Sequence, residues 1–193
     1  AHDATLLPSH RWAVTRVSAR RSAGSRAAVR WLVGGLLHRG AERAFAAGAR
    51  GGRVRDRALA RDAGVLRRAA REAAREGRVD VVVAHNLQAL PAAAAAARSS
   101  GAKLVFDVED LHAEDFLDVR AFARRIAIIT EVERRYLPQC DLVTASSDGI
   151  GDAVAAKYGV RRPLTVLNAF PLSARDAVGD AGALATERPG AGP

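Results

Sequence analysis

Between Val79 and Pro171 the chain alternates short apolar runs with longer helical patterns, and each apolar run ends in a small polar cluster. The runs are Val79–Ala84, Lys103–Phe106, Asp141–Ala145 and Leu164–Leu167. The first, Val79-Asp80-Val81-Val82-Val83, reads as a buried strand. Helical patterns lie between the runs, over Leu87–Ala97, Arg120–Leu137 and Ser147–Lys157. Repetition of strand then helix predicts a Rossmann-like parallel α/β sheet flanked by helices, whose strands all deliver their C-terminal ends to one rim. The polar ends that would line this rim are His85-Asn86, Asp107-Val108-Glu109-Asp110, Ser146-Ser147-Asp148 and Asn168.

Local signals place the boundaries. Pro91 suits the first turn of its helix, where the missing N–H costs nothing. Ala92–Ala97 favours helix and a close approach to the sheet, Gly101 caps it, and Pro138 closes the next helix. Upstream, Arg26–Ala47 is amphipathic: Val29, Leu32, Val33, Leu36 and Leu37 share one face, and Arg30, Arg39 and Arg43 lie elsewhere. Gly34-Gly35 should weaken or break it. Packing onto the sheet is the expected use of that stripe. The other reading, with Trp31, is an anionic membrane surface. Asp56–Glu76 predicts one continuous helix, ended by Gly77 at a left-handed cap position. The expected organisation is a basic, partly helical segment over 1–52, a Rossmann-like domain over 53–171, and an Ala-, Gly-, Asp- and Pro-rich linker or disordered tail over 172–193.

At 193 residues there is room for one domain with a sizeable core. Met is absent throughout, position 1 included, which suggests a fragment or excised domain. The net charge of +9 is uneven: residues 1–78 carry 18 Arg against 6 acids, whereas 79–193 carry 12 Arg plus Lys against 15. A basic half beside an acidic one raises nucleic acid or an anionic membrane as partners. With only Lys103 and Lys157 among the lysines, compositional bias accounts for the arginines more simply, and no nucleic-acid motif accompanies them. Cys140 is the single cysteine, so no intramolecular disulfide forms, and a reducing, cytoplasmic setting is expected. Beside an apolar run it reads as a packing residue. No apolar stretch approaches the ~20 residues of a membrane span.

The rim residues carry the candidate chemistry. His85 and Asn86 could hydrogen-bond a ligand hydroxyl. Asp107, Glu109 and Asp110 could act as acid or base or accept bonds from sugar hydroxyls, or simply form a solvated loop with helix caps. No metal is expected, because the spacing fits no standard ligand set. Ser146, Ser147 and Gly149-x-Gly151 at a strand-to-helix junction suggest an anion site, against which Ser147 as an ordinary N-cap is the simpler reading. Rossmann, Walker and nucleophile-elbow fingerprints are all missing.

Together these segments resemble the N-terminal domain of GT-B glycosyltransferases of the family 4 type. Asp80-Val81-Val82-Val83-Ala84-His85-Asn86-Leu87-Gln88-Ala89-Leu90-Pro91 is similar to the family's DVVHAHDLDALP, and Lys103 to Asp110 is similar to KLVYDSHE. Glu133 to Thr144 and the pair Tyr158-Gly159-Val160 with Val166-Leu167-Asn168-Ala169 follow in the family's order. The resemblance implies retaining transfer of a sugar from a nucleotide-sugar donor, in a cleft whose acceptor wall is this domain and whose donor wall is a C-terminal domain. That second domain's pair of glutamates eight positions apart does not occur here, so the resemblance implies an acceptor-binding half, inactive alone and holding no cofactor of its own. His85, Asn86, Asp107, Glu109, Asp110, Ser146 and Asn168 are the expected contacts to a sugar, glycan or lipid acceptor, with Glu109 the catalytic candidate. Val83 and Asn86 depart from the first His and the Asp of the HAHD motif, and Glu109 stands where many members have His. The family's opening strand and Gly-rich turn are not found before residue 50, which predicts a sheet incomplete on its N-terminal side with exposed apolar surface. The alternative is a non-catalytic Rossmann-like scaffold whose basic segment docks on a membrane or partner.

Overall fold

Four parallel strands pair in chain order in a computed structural model that describes residues 25–168: β1 (Val81–Ala84), β2 (Lys103–Val108), β3 (Leu142–Ala145) and β4 (Leu164–Thr165). The expectations for residues 1–24 and for the tail 172–193 lie outside the described residues. Registers run Val83 to Val105 to Leu142, and Ala84 to Phe106 to Val143. Between the strands come α4 (Leu90–Ser100), α5 (Ala123–Tyr136) with a 3₁₀ turn at Leu137–Gln139, and α6 (Asp148–Tyr158). The predicted α/β class and its parallel sheet are therefore present. Strands that advance in one direction through right-handed crossovers place every connecting helix on the same face. Ala84, Leu104, Phe106, Val108, Val143 and Ala145 are buried under those helices.

The opposite face is open among the described residues. Val81, Val83, Leu142 and Leu164 are each more than 40 % exposed there, with Val105 half-buried among them. Parallel strands ordinarily bury both faces and so read as continuous apolar runs. β1 has that composition but is buried on one side only, which corrects the expectation of a wholly buried strand. Exposed apolar surface is thus present, as expected, on this face of the described residues.

The helical layer also differs from its prediction. Residues 56–76 do not form one helix: α2 (Gly52–Leu59) and α3 (Ala63–Glu76) are separated at Ala60, whose backbone is extended. No Gly or Pro marks the break. Tertiary contacts maintain it, since Arg125 of α5 donates to the Leu59 carbonyl at 2.6 Å and satisfies the freed end of α2. Gly77 is extended, not left-handed, whereas Gly101 has the left-handed conformation expected of a cap. Conversely, α1 (Ser25–Ala46) runs unbroken through Gly34-Gly35. There a Cβ on Gly35 would come within 2.9 Å of the Arg61 guanidinium, so the glycines permit a close approach to Arg61. α1 packs on α2 through Ala41 and Phe45, and not on the sheet, which leaves the Val29 to Leu37 stripe facing solvent.

Asp56 ties three of these helices. Its carboxylate, 2 % exposed on α2, accepts from the Tyr136 hydroxyl of α5 at 2.9 Å and from Arg67 of α3.

Candidate functional site

The C-terminal ends of β1 and β2 bring His85, Asp107 and Glu109 together. β2 continues two residues further than its apolar run, so Asp107 lies within the strand and its carboxylate emerges on the open face. Register pairs Asp107 with Thr144 of β3, whose hydroxyl donates to Asp107 Oδ1 at 2.5 Å. The other oxygen, Oδ2, faces His85 Nδ1 at 3.0 Å, and Glu109 Oε1 stands 4.0 Å from the same nitrogen. Thr144 therefore fixes the carboxylate, which lies at ion-pair distance from the imidazole without hydrogen-bond geometry. His85 is 73 % exposed, so the ring is open to a partner arriving from the rim. An exposed imidazole beside a carboxylate can hydrogen-bond a hydroxyl or take its proton. The three donor atoms lie within 4.8 Å of one another, a spacing that a divalent cation would also fit.

The remaining expected residues have other positions. Asn86 Oδ1 accepts from the Gln88 backbone N–H at 2.9 Å, a turn that opens the way into α4. Ser146 donates to the Glu109 carbonyl at 2.7 Å and so ties the end of β3 to the acidic loop. Asp110 is exposed outside the three-residue group, and Asn168 is exposed three residues past β4. Ser147 is the N-cap of α6, accepting from the Ile150 N–H at 3.3 Å. Beside it the Asp148 carboxylate is held below the ordinary carboxylate range by Arg162 and Thr165. Thr144 escaped the sequence reading. The signal was its place in the third strand opposite Asp107, which becomes visible only once the register is known.

The acidic loop is fastened by buried polar groups. Glu133 of α5, 5 % exposed, accepts from the Tyr158 hydroxyl and lies 3.3 Å from His112 Nδ1. The His112 contact has ion-pair distance without hydrogen-bond geometry. Lys157 reaches Glu114 at 3.1 Å. Burial raises the Tyr158 hydroxyl well above its ordinary value, with the Glu133 carboxylate adding to the effect, so it remains a donor.

Cys140 packs against the core, and its thiol is pushed up to about 12, first by burial and then by the Asp141 carboxylate. At pH 8 the thiolate fraction is then roughly one in ten thousand. Iodoacetamide should label it slowly in the native protein and rapidly in denaturant. Equal rates in the two states would refute the packing role.

Of the described helices, none is long and apolar enough to cross a membrane. A family model described as Glycosyltransferase Family 4 matches residues 7–169 of the chain. No curated protein and no solved structure gives a match.

Proposed function

The chain belongs to glycosyltransferase family 4, and from that premise we propose that it is the acceptor-binding half of a retaining, nucleotide-sugar-dependent glycosyltransferase of GT-B architecture. The observation that carries this reading is the His85, Asp107 and Glu109 group at the C-terminal rim of the sheet, where α/β folds bind their ligands. In it His85 and Asp107 hold an acceptor hydroxyl, with Glu109 as the second carboxylate at the reacting centre. Asn86, Asp110, Ser146 and Asn168 line the same wall, and a separate C-terminal domain brings the donor. On this reading residues 53–171 are the acceptor domain, 1–52 its basic segment and 172–193 a linker or tail. The protein works in the cytoplasm, peripherally at the inner face of the membrane, on a sugar, glycan or lipid acceptor.

The expected result is that purified 193-residue protein transfers no sugar from any of a panel of nucleotide-sugars, whereas a longer protein that adds a donor domain does, with retained anomeric configuration by NMR. Turnover by the 193-residue protein, or inversion by the longer one, would overturn it.

A further inference from the structure

We propose that the outward face of α1 is a docking surface for an anionic lipid bilayer. Val29, Leu32, Val33, Leu36 and Leu37 recur at the i, i+3, i+4, i+7, i+8 spacing of one helix face, and each is 45–63 % exposed. Five large apolar side chains in one exposed row are more than scattered surface hydrophobics require. The opposite side of the helix is engaged: Ala41 and Phe45 are buried, His38 donates to the Arg57 carbonyl at 2.7 Å, and Arg61 stacks 4.0 Å over the Trp31 ring. The stripe is therefore the face left over once α1 has been anchored on α2.

Charge decides what covers it. Between Ser25 and Arg61 there are nine arginines and two carboxylates. Both carboxylates are turned away, since Asp56 is buried with Tyr136 and Arg67 and Glu42 lines the cleft between α1 and α2 beside His38. Arg30, Arg39 and Arg43 are exposed and border the apolar row. A second copy packed stripe to stripe would bring these arginines together with no carboxylate between them. A nucleic acid would satisfy the arginines but leave the leucines in water. An anionic bilayer satisfies both, because the row enters the acyl boundary while the guanidinium groups reach the lipid phosphates. The inference rests on the membrane location proposed above, and vesicle binding is read without any sugar transfer, so this surface and the transferase reading fail separately.

The test is co-sedimentation of the full chain with phosphatidylcholine vesicles, with and without phosphatidylglycerol. Binding is expected only to the anionic vesicles and should weaken as salt rises. Leu32→Ser with Leu36→Ser should abolish it. Each basic residue near an anionic surface contributes roughly a five-fold factor, so Arg30→Gln, Arg39→Gln and Arg43→Gln together should weaken it about 100-fold. Circular dichroism of each variant verifies that the fold is kept. Val83→Ser on the open sheet face should leave binding unchanged. The proposal is overturned by equal binding to neutral vesicles, or by binding that survives the α1 variants or depends on Val83. It is also overturned if the protein instead binds RNA, or forms a dimer that the leucine variants disperse, with no vesicle binding.

Discussion

Asp56→Ala is expected to lower the stability of the protein by about 3 kcal/mol, the cost of breaking a buried, hydrogen-bonded charge pair. For a chain of this length that corresponds to a fall in melting temperature of roughly 6–12 °C. The substitution removes little volume. Its effect comes from two groups left without a partner: the Tyr136 hydroxyl and the Arg67 guanidinium. Tyr136 cannot relieve its loss by ionising, because burial, the largest cause of a hydroxyl pushed up to about 12 in the wild type, persists in the variant. Asp56→Asn keeps an acceptor for Tyr136 and should cost about 1–2 kcal/mol less. The pH dependence separates charge from shape. Desolvation raises the Asp56 carboxyl above its ordinary 3.8, only partly offset by the Tyr136 bond and then by Arg67. A raised folded value means that the stability contributed by this group is fully present below about pH 4 and is lost as pH rises through that folded value. The advantage of wild type over Asp56→Asn should therefore shrink as pH rises. Urea unfolding followed by circular dichroism measures both effects, and an Ala variant within 0.5 kcal/mol of wild type would refute the role given to Asp56.

The sheet could be read from the sequence because its determinants are local. Val81–Ala84 and Leu142–Ala145 are dense in β-formers, and Gly101 and Pro138 stop the chain where stops are needed. The helical layer was harder to read because its breaks are set by distant partners. Arg125 lies 66 residues from the Leu59 carbonyl that it satisfies, and the one local signal between Ala60 and Asp62 is Asp62 itself, the N-cap residue of α3. Gly34-Gly35 looked like a breaker because propensity penalises glycine in a helix, whereas contact with Arg61 gives the small residues a use. The same distinction holds at the rim. His85, Asp107 and Glu109 could be named from their places after the strands. That Asp107 faces His85 and not the helices follows from the two-residue alternation along β2 and from its register with β3. Asn86 could be named equally well but is taken up by its own turn, a local bond that competes with ligand contact.

In a longer enzyme carrying the donor domain, His85→Ala and Asp107→Asn should each lower kcat/KM for the acceptor about 100-fold, the lower end of what a positioned acid or base contributes. The two are proposed to act as one unit, since the carboxylate lies 3.0 Å from Nδ1 of the same exposed imidazole. The double variant should then be little worse than either single one, whereas independent contacts would multiply to about 10⁴. Thr144→Val removes the hydroxyl that holds Asp107 Oδ1 and touches no acceptor. A hydrogen bond to a charged group, about 1.5 kcal/mol at the low end, predicts a loss near ten-fold, which should disappear in the Asp107→Asn background. Glu109→Gln is expected to cost about ten-fold, from one bond to a charged group, and to add to the His85 effect if the second carboxylate contacts the acceptor independently. Initial rates at varied acceptor concentration decide between these outcomes. Multiplicative losses for His85 and Asp107, with the fold intact by circular dichroism, would show that the pair does not act as a unit. An unchanged kcat/KM in both would remove the rim from the acceptor site altogether.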